Sequence, residues 1–451
     1  MRSQPSFLSC SSSTESISCL EDLCNELIYE TFQYLNYFHV YEAFFHLNIR
    51  FRHLLTHSDY PIKIDLSSLS RSAWKRYNAD IIESTVNRIR VFRISDTFMY
   101  DSCLLFLFEK LSAFNRMECL ILENVGFESL ENLLDQLLSL SQLSSLTITA
   151  KGVLDCTKIY GQIFRLRALK YCKLCLSKRG TTQLLPICVN EYSPIEYLII
   201  THDTDLNELY RLLSYVPHLR RASFDLIGSH ENLRTDRFPF VCKQLTHISL
   251  RLLTCIEFNV FERIIRELFP RMEVLHLTPP KYFDRQYASG SKWEELITNH
   301  LPYLRIFDIQ YSFHVASDGA SSNADDVIRQ FSTPFWIARQ WSFIHEIYGG
   351  VDKENGLLYS ANPYRYCSTN PSFNNTFCFV FYLLEESILH YVTKEWKKAL
   401  SNDMIQTSAQ SNRFISTVRK VSLIVLILFL MQRSFASRVA SLSHALSLLI
   451  F

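Results

Sequence analysis

The sequence predicts an α/β fold in which short parallel strands alternate with helices in a stacked array, preceded by a small all-α module. Three observations carry this prediction. A short apolar pattern recurs through the middle of the chain, segments with helical spacing lie between its copies, and an aromatic-rich segment precedes the first copy. With 451 residues the chain is too long for one compact core, so an elongated array or several domains are expected.

The recurring pattern has the form apolar, x, x, apolar, x, apolar, and its copies start 24 to 32 residues apart. That interval is typical of repeats built from one strand and one helix. Because one such unit cannot bury its own apolar strand face, consecutive units must stack, with parallel strands inside and helices outside. The copies are Ile89/Phe92/Ile94, Met117/Leu120/Leu122, Leu143/Leu146/Ile148, Leu169/Cys172/Leu174, Ile195/Leu198/Ile200, Leu219/Ala222/Phe224, Leu245/Ile248/Leu250, Met272/Leu275/Leu277 and Leu304/Phe307/Ile309.

Between the copies, apolar residues follow the i, i+3, i+4, i+7 spacing of an amphipathic helix. Asp205 with Glu208 three residues later forms a capping box, which predicts a helix start at this point. Pro217, Pro270 and Pro302 follow shortly after helical segments, where they prevent continuation. The clearest stripes are Leu130/Leu133/Leu134/Leu137/Leu138, Leu206/Leu209/Leu212/Leu213/Val216 and Phe261/Ile264/Ile265/Leu268/Phe269.

These motifs resemble the leucine-rich-repeat family, in particular its longer members with a full helix in each unit. The resemblance covers residues 89–309 and implies a leucine-rich-repeat-like solenoid over residues 61–311. The Asn or Cys that many members carry after the third apolar position is absent, since Val125, Ala150 and Leu253 lie near that point. A non-repeating α/β domain rich in leucine remains the alternative.

Residues 19–60 read as two or three short helices, because their apolar residues recur at helical offsets. A bundle of this size has little core of its own and gains stability from a partner or from the array. The apolar positions are Leu23, Leu27, Phe32 and Leu35, followed by Val40, Phe44, Leu47, Phe51 and Leu54.

This segment resembles an F-box, whose pattern opens with Leu-Pro-x-Glu-Leu, continues to Ile-Phe-x-Tyr-Leu and closes near Val-Cys-Lys-x-Trp-x-x-Leu. The residues that match are Leu23, Glu26, Leu27, then Phe32, Tyr34, Leu35, then Leu47, Phe51 and Leu54. The departures are Cys24 for the proline, Thr31 for the isoleucine, His39 for a common acidic residue and Phe51 for the tryptophan.

In the F-box family this module binds the Skp-type adaptor of a cullin ubiquitin ligase, and an attached repeat array selects the protein to be modified. The resemblance therefore implies a substrate-recognition subunit whose partners are the adaptor, the cullin scaffold and an unidentified target protein. The alternative is a leucine-rich-repeat interaction scaffold with no ubiquitin-ligase role, in which the helices merely cap the array. The implied adaptor-binding residues are Leu23, Cys24, Leu27, Phe32, Tyr34 and Leu35.

No catalytic residue and no cofactor are predicted, so we expect the chain not to be an enzyme. Neither GxGxxG nor GxxxxGK[ST] occurs, and 10 glycines leave little material for loops that cradle phosphates. No GxSxG elbow is present. With 46 basic and 45 acidic residues the net charge is +1, which disfavours nucleic acid as a partner.

No metal site is predicted either. Cys172 and Cys175 form a CxxC pair, but Cys172 occupies a core position of a repeat strand and a second CxxC is missing. His53 and His57 could share a helix face, but the glutamate of an HExxH motif is absent. The 13 cysteines are scattered and odd in number, which indicates reduced thiols.

The flanks give weaker signals. Residues 1–18 are expected to be a disordered start without a secretory signal, which predicts a cytoplasmic or nuclear protein. Residues 312–330 read as a polar loop, and 331–400 as an aromatic-rich C-terminal cap, with a binding surface as the alternative. The cap includes a strand near 377–382 and a helix over 383–400. Residues 401–451 form a tail of uncertain helical character, whose apolar run Val421 to Met431 is too short to cross a membrane.

Overall fold

The computed structural model describes residues 20–33, 35–56, 59–67, 74, 77, 82, 85–94, 106–107, 109–152, 156–177, 185–228, 241–254, 256–280, 284–315, 324–350 and 353–362. The chain divides into two compact units, one comprising residues 1–31 with 367–451 and the other residues 32–366. The described part of the first unit consists of a 3-10 turn at Leu20–Asp22 and most of helix α1, Asn25–Gln33.

Two further helices, α2 (Tyr37–Phe44) and α3 (Ile49–Thr56), open the second unit. The Asn36 side chain caps α2 by accepting a hydrogen bond from the Phe38 amide at 3.2 Å. The two helices are joined by the Tyr37 hydroxyl, which donates to the Leu55 carbonyl at 2.9 Å. The same carbonyl accepts from the Arg88 guanidinium at 2.7 Å, which links the helices to the segment before the second strand.

A twelve-stranded, mostly parallel sheet forms the body of the second unit. Strands β1 to β10 are neighbours in chain order and pair in parallel, whereas β12 and β11 pair antiparallel at the far end. The strands are β1 (Ile62–Asp65), β2 (Ile89–Ile94), β3 (Cys119–Gly126), β4 (Ser145–Lys151), β5 (Tyr171–Leu176), β6 (Tyr197–Asp205), β7 (Arg221–Ile227), β8 (His247–Leu252), β9 (Val274–Thr278), β10 (Ile306–Val315), β11 (Ser342–Gly350) and β12 (Lys353–Asn362).

Helices connect many of these strands on one side of the sheet. Crossovers between parallel strands are right-handed, so a strand order that follows chain order places all crossover helices on the same face. The helices described between strands are α4 (Phe127–Leu137), α5 (Cys156–Phe164), α6 (Leu206–Tyr215), α7 (Phe258–Leu268) and α8 (Gly290–His300). The predicted start of α6 is confirmed, because the Glu208 amide donates to the Asp205 carboxylate at 2.8 Å.

The core lies between the sheet and these helices. In β4 and β5 every second residue is buried, and β3 follows the same alternation as far as Leu122, so one face of each strand meets the helices and the other does not. The second apolar positions of the sequence pattern are direct neighbours across the sheet, in the order Phe92, Leu120, Leu146, Cys172, Leu198, Ala222, Ile248, Leu275 and Phe307. The predicted α/β class is confirmed, with a mostly parallel sheet and helices.

The C-terminal end differs from the sequence expectation of a loop from residue 312. Strand β10 continues to Val315, because its second half exchanges the parallel partner β9 for the antiparallel partner β12. The Ile309 amide donates to the Ser360 hydroxyl at 2.9 Å where this exchange occurs. A helix, α9 (Ala324–Gln330), occupies the end of the expected loop. Gly290 permits its close approach to α8, since a Cβ atom there would collide with the Gln330 carbonyl.

Aromatic side chains close this end of the sheet. Trp336, from the short helix α10 (Pro334–Ala338), is fully buried and stacks on Phe307 of β10 with ring centroids 5.9 Å apart. The Trp341 indole donates to the Arg305 carbonyl at 3.1 Å. Phe331 and Phe343 complete the cluster with centroids 4.7 Å apart. These residues of the predicted cap are therefore interior residues.

Four further predictions for the flanks concern residues outside the described ranges. They are the disordered start at 1–18, the strand near 377–382, the helix over 383–400 and the tail at 401–451. None of the helices in the described part of the chain combines the length and the apolar character needed to span a bilayer.

The alternation within β6 gives a direct stability test. Leu198 is fully buried, whereas its neighbour Ile199 lies on the other face and is only half-buried. We expect Leu198→Ala to lower the free energy of unfolding by about 2–5 kcal/mol through lost contacts and a cavity. The matched change Ile199→Ala is expected to cost less than about 1 kcal/mol. Urea unfolding of both variants measures the difference, and equal losses would contradict the assigned faces.

Candidate protein-binding surfaces

The face of the parallel sheet opposite the helices carries partly exposed side chains, and we call it the open face. Because neighbouring strands pair in register, its residues align in rows that run across the strands. The first row from β3 to β8 contains Cys119, Ser145, Tyr171, Tyr197, Arg221 and His247, and the second contains Ile121, Thr147, Lys173, Ile199, Ser223 and Ser249.

Ion pairs connect neighbouring strands at the start of the open face. Arg93 of β2 contacts Asp65 of β1 at 3.4 Å and both carboxylate oxygens of Glu123 of β3 at 3.0 and 3.1 Å. Both Glu123 contacts come from the same guanidinium nitrogen, Nη2, so they form one bifurcated hydrogen bond and not a parallel two-nitrogen pair. These charges are partly exposed, so their contribution to stability is modest, and one guanidinium between two carboxylates leaves the three groups with a net charge of −1.

Charges near the other end are also paired. The Arg251 guanidinium donates to the Asp225 carboxylate through two nitrogens, with the Nε contact at 2.9 Å. His276 Nδ1 lies 2.8 Å from the Asp308 carboxylate, which is almost fully buried. Both pairs join adjacent strands, so the acidic groups at this end of the face are already occupied.

The centre of the open face is different. Tyr171 and Tyr197 lie side by side in the first row, with ring centroids 5.1 Å apart and ring planes at 90°. Lys173 follows Tyr171 by two residues in β5 and lies in the second row, and Arg221 lies beside Tyr197 in the first row. Neither cation forms an ion pair with a residue that the structure describes. We call these four residues the tyrosine patch.

A buried tyrosine–histidine pair is the other conspicuous polar group. Tyr160 of α5 and His202 of β6 are joined by a hydrogen bond of 2.7 Å between Oη and Nε2. His202 Nδ1 accepts from the Leu176 amide at 3.2 Å, which places the ring proton on Nε2. Burial raises the pKa of Tyr160 far above its usual range. With both side chains buried, this pair joins helix and sheet and offers no surface to a substrate.

The CxxC cysteines point to opposite faces. Cys172 is buried among the helices, whereas Cys175 is partly exposed on the open face, so the two sulfur atoms cannot converge on one ion. Across the described residues, no group of three or more His, Cys, Asp or Glu side chains is arranged to hold a metal ion. Of the predicted histidine pair, His53 is exposed and His57 lies outside the described residues.

The residues implied in adaptor binding have varied surroundings. Leu23 is half-buried, Cys24 is exposed and Leu27 is 46 % exposed. The Cys24 carbonyl accepts from the Ile28 amide at 3.2 Å, so Cys24 stands directly before the first turn of α1. Tyr34 lies outside the described residues.

Phe32 and Leu35 belong to the second unit. Phe32 is buried, with ring centroids 5.2 Å from Phe44 and 6.5 Å from Phe51. Phe32 therefore belongs to the chain's own core, and its direct contact with an adaptor stays a prediction. Leu35 is half-buried. The sequence pattern could not separate these cases, because helical spacing marks apolar positions and does not say which of them a neighbouring helix covers.

Two surface features were not predicted from the sequence. They are the tyrosine patch and Ile49 of α3, whose side chain is 83 % exposed. The patch carried a usable signal, since its residues alternate with the core positions of β5, β6 and β7. Ile49 carried none, because an exposed isoleucine reads as any other apolar residue of a helix.

No protein-family model matches the chain, and no curated protein shows a significant sequence match to it. The described residues define a mostly parallel α/β fold with helices on one face of the sheet and partly exposed side chains on the other.

The two CxxC cysteines test which face is open. Lys173 lies between them, so trypsin releases them on separate peptides. We expect iodoacetamide to alkylate Cys175 at least about tenfold faster than Cys172, because burial raises the pKa of Cys172 and only the thiolate reacts. Samples are taken during alkylation, quenched and digested with trypsin, and mass spectrometry of the peptides gives both alkylation rates. Denatured protein, in which the two rates should converge, is the control. Equal rates in the native protein would contradict the assignment.

Proposed function

We propose that this chain is a substrate-recognition subunit of a cullin-type E3 ubiquitin ligase. In this proposal the N-terminal helices bind a Skp-type adaptor, and the open face of the sheet binds the target protein. The chain itself performs no covalent chemistry, and it acts in the cytoplasm or the nucleus. The observation that carries the proposal is a long, regular sheet whose one face is left to partly exposed, largely polar side chains.

A leucine-rich-repeat-like solenoid is the finer fold that we propose for residues 61–311. Strands β1 to β10 follow each other in chain order, and the same apolar position is shared by neighbours across the sheet. Such arrays present a broad strand surface, which suits the recognition of a protein rather than a small molecule. The fully buried Tyr160–His202 pair agrees with a role in structure and not in catalysis.

The adaptor side of the proposal is supported by the N-terminal helices and their F-box-like pattern. Large apolar side chains at protein surfaces are candidates for an intermolecular core. Leu27 is 46 % exposed on α1, and Leu23 precedes the helix and is half-buried. Both residues belong to the opening element of the matched pattern.

One observation favours the second candidate, an interaction scaffold without a ligase role. Phe32, which matches the F-box pattern, is used in packing against Phe44 and Phe51. A helical cap that protects the first strand of an array would use it in this way. Mass spectrometry of proteins that co-purify with the intact chain separates the candidates, since an adaptor and a cullin are expected only for the receptor.

The double change Leu23→Ser with Leu27→Ser tests the adaptor interface. Burying a large apolar side chain contributes ~1.5–3 kcal/mol, so we expect capture of a purified Skp-type adaptor to weaken by about 10²-fold. The matched control is Val189→Ser with Ile337→Ser, two exposed apolar residues outside the N-terminal helices, which should leave capture unchanged. If the wild-type chain fails to capture the adaptor even at high concentration, the ligase proposal is wrong and the scaffold takes its place.

A further inference from the structure

The centre of the open face carries an excess of positive charge that the whole chain does not have. The first three residues of β5, β6 and β7, together with the residue before each strand, include four basic groups and one acidic group, whereas the net charge of the whole chain is +1. The basic groups are Lys170, Lys173, Arg220 and Arg221, and the acidic one is Glu196.

The single carboxylate in this region is occupied. Lys170 Nζ lies 3.1 Å from Glu196, and the Arg220 guanidinium lies 3.6 Å from it on the other side. The hydrogen bond and charge of Lys170 lower the pKa of Glu196, so it stays ionised and bridges the two cations. Lys173 and Arg221 receive no share of it. Among the described residues, neither of these two cations of the tyrosine patch has a carboxylate partner.

The two tyrosines between these cations supply a platform and hydrogen-bond donors. Burial raises the pKa of Tyr171, and the neighbouring Tyr197 raises it further, so the Tyr171 hydroxyl stays protonated. A protonated phenol donates a hydrogen bond to a carboxylate, and its ring face packs against an apolar or aromatic side chain. Burial followed by the nearby Arg221 charge lowers the pKa of His247, so the histidine at the edge of the patch is neutral at pH 7.

The spacing of the cations defines the ligand further. Lys173 is two residues along β5 from Tyr171, and Arg221 is two strands away from it in the first row. With strands ~4.8 Å apart and a rise of ~3.3 Å per residue, the two positions are separated by about 12 Å. In an extended peptide, side chains four residues apart lie on the same face and are separated by about 13 Å.

We propose that the tyrosine patch binds an extended acidic segment of the target protein, whose two carboxylates, four residues apart, contact Lys173 and Arg221. An apolar or aromatic side chain between these carboxylates rests on Tyr171 and Tyr197. This inference rests on the proposed function, since it names the chemistry of the target that the open face selects. Two cations without a carboxylate partner among the described residues, next to two aromatic rings, fit a short acidic segment better than the continuous phosphate backbone of a nucleic acid.

The experiment selects phage-displayed random peptides on the full chain and measures the enriched peptides by fluorescence anisotropy. We expect enrichment of Asp or Glu pairs four residues apart with an apolar or aromatic residue between them. Replacing both acidic residues of an enriched peptide by their amides should weaken its binding at least tenfold. Added salt should weaken it as well, because exposed charges are screened.

The informative protein variant is Lys173→Glu with Arg221→Glu, which reverses both charges on partly exposed side chains and leaves the core intact. It should lose at least tenfold in affinity for the acidic peptide and gain affinity for a peptide with lysine at the two acidic positions. The matched control is Lys63→Glu with Lys151→Glu, the same charge change on exposed residues of β1 and β4. Its affinity should stay within twofold of wild type, and circular dichroism melting confirms that both variants fold.

The inference is overturned if the selection enriches no peptides, or enriches neutral or basic ones. Equal affinity of the acid and amide peptides, or undiminished binding of the acidic peptide by the charge-reversed variant, would also overturn it. Tighter binding of a single-stranded oligonucleotide than of the acidic peptides would also overturn it. Adaptor capture by the same protein is measured in parallel. Adaptor capture without acidic-peptide binding rejects this inference alone, whereas acidic-peptide binding without adaptor capture rejects the ligase proposal and leaves a scaffold with this specificity.

Discussion

The parallel register of the sheet is the constraint on which the rest of the structure depends. Leu146, Cys172 and Leu198 are aligned neighbours in three consecutive strands, and all three are fully buried. Because side chains alternate with a period of two, a slip of one residue would carry Leu198 to the open face and bring Tyr197 or Ile199 under the helices. The core therefore determines which residues lie on the open face, although those residues take no part in core packing.

A sheet of this kind has two ends, and the chain closes them by different means. At the start, the Arg88 side chain donates hydrogen bonds to the carbonyls of Leu55 and Tyr60, which joins α3 to the segment before β2. At the far end, β10 turns from a parallel to an antiparallel partner, and Trp336 fills the space against Phe307.

The sequence predicted those features that arise from local periodicity. Strands β2 to β10, the core position of Cys172 and the capped helix start at Asp205 each depend on a few neighbouring residues. The features that were not predicted from the sequence depend on pairing between distant segments of the chain. The extension of β10 requires β12 as a partner, and the Arg251–Asp225 ion pair joins residues 26 positions apart. The burial of Phe32 in the chain's own core likewise depends on where Phe44 and Phe51 come to lie.

The same alternation separates stability from specificity within a single strand. In β5, Cys172 and Leu174 face the helices, while Tyr171, Lys173 and Cys175 face outward at the adjoining positions. A substitution at an outward position changes charge or shape on the open face and leaves core packing almost untouched, because the two sets share only the backbone. Hydrogen bonds between neighbouring strands hold that backbone, so they set the positions of the outward side chains. They do not require a particular residue type at those positions. A sheet of this design can thus acquire a local charge, such as that of Lys173 and Arg221, while the whole chain stays near neutrality.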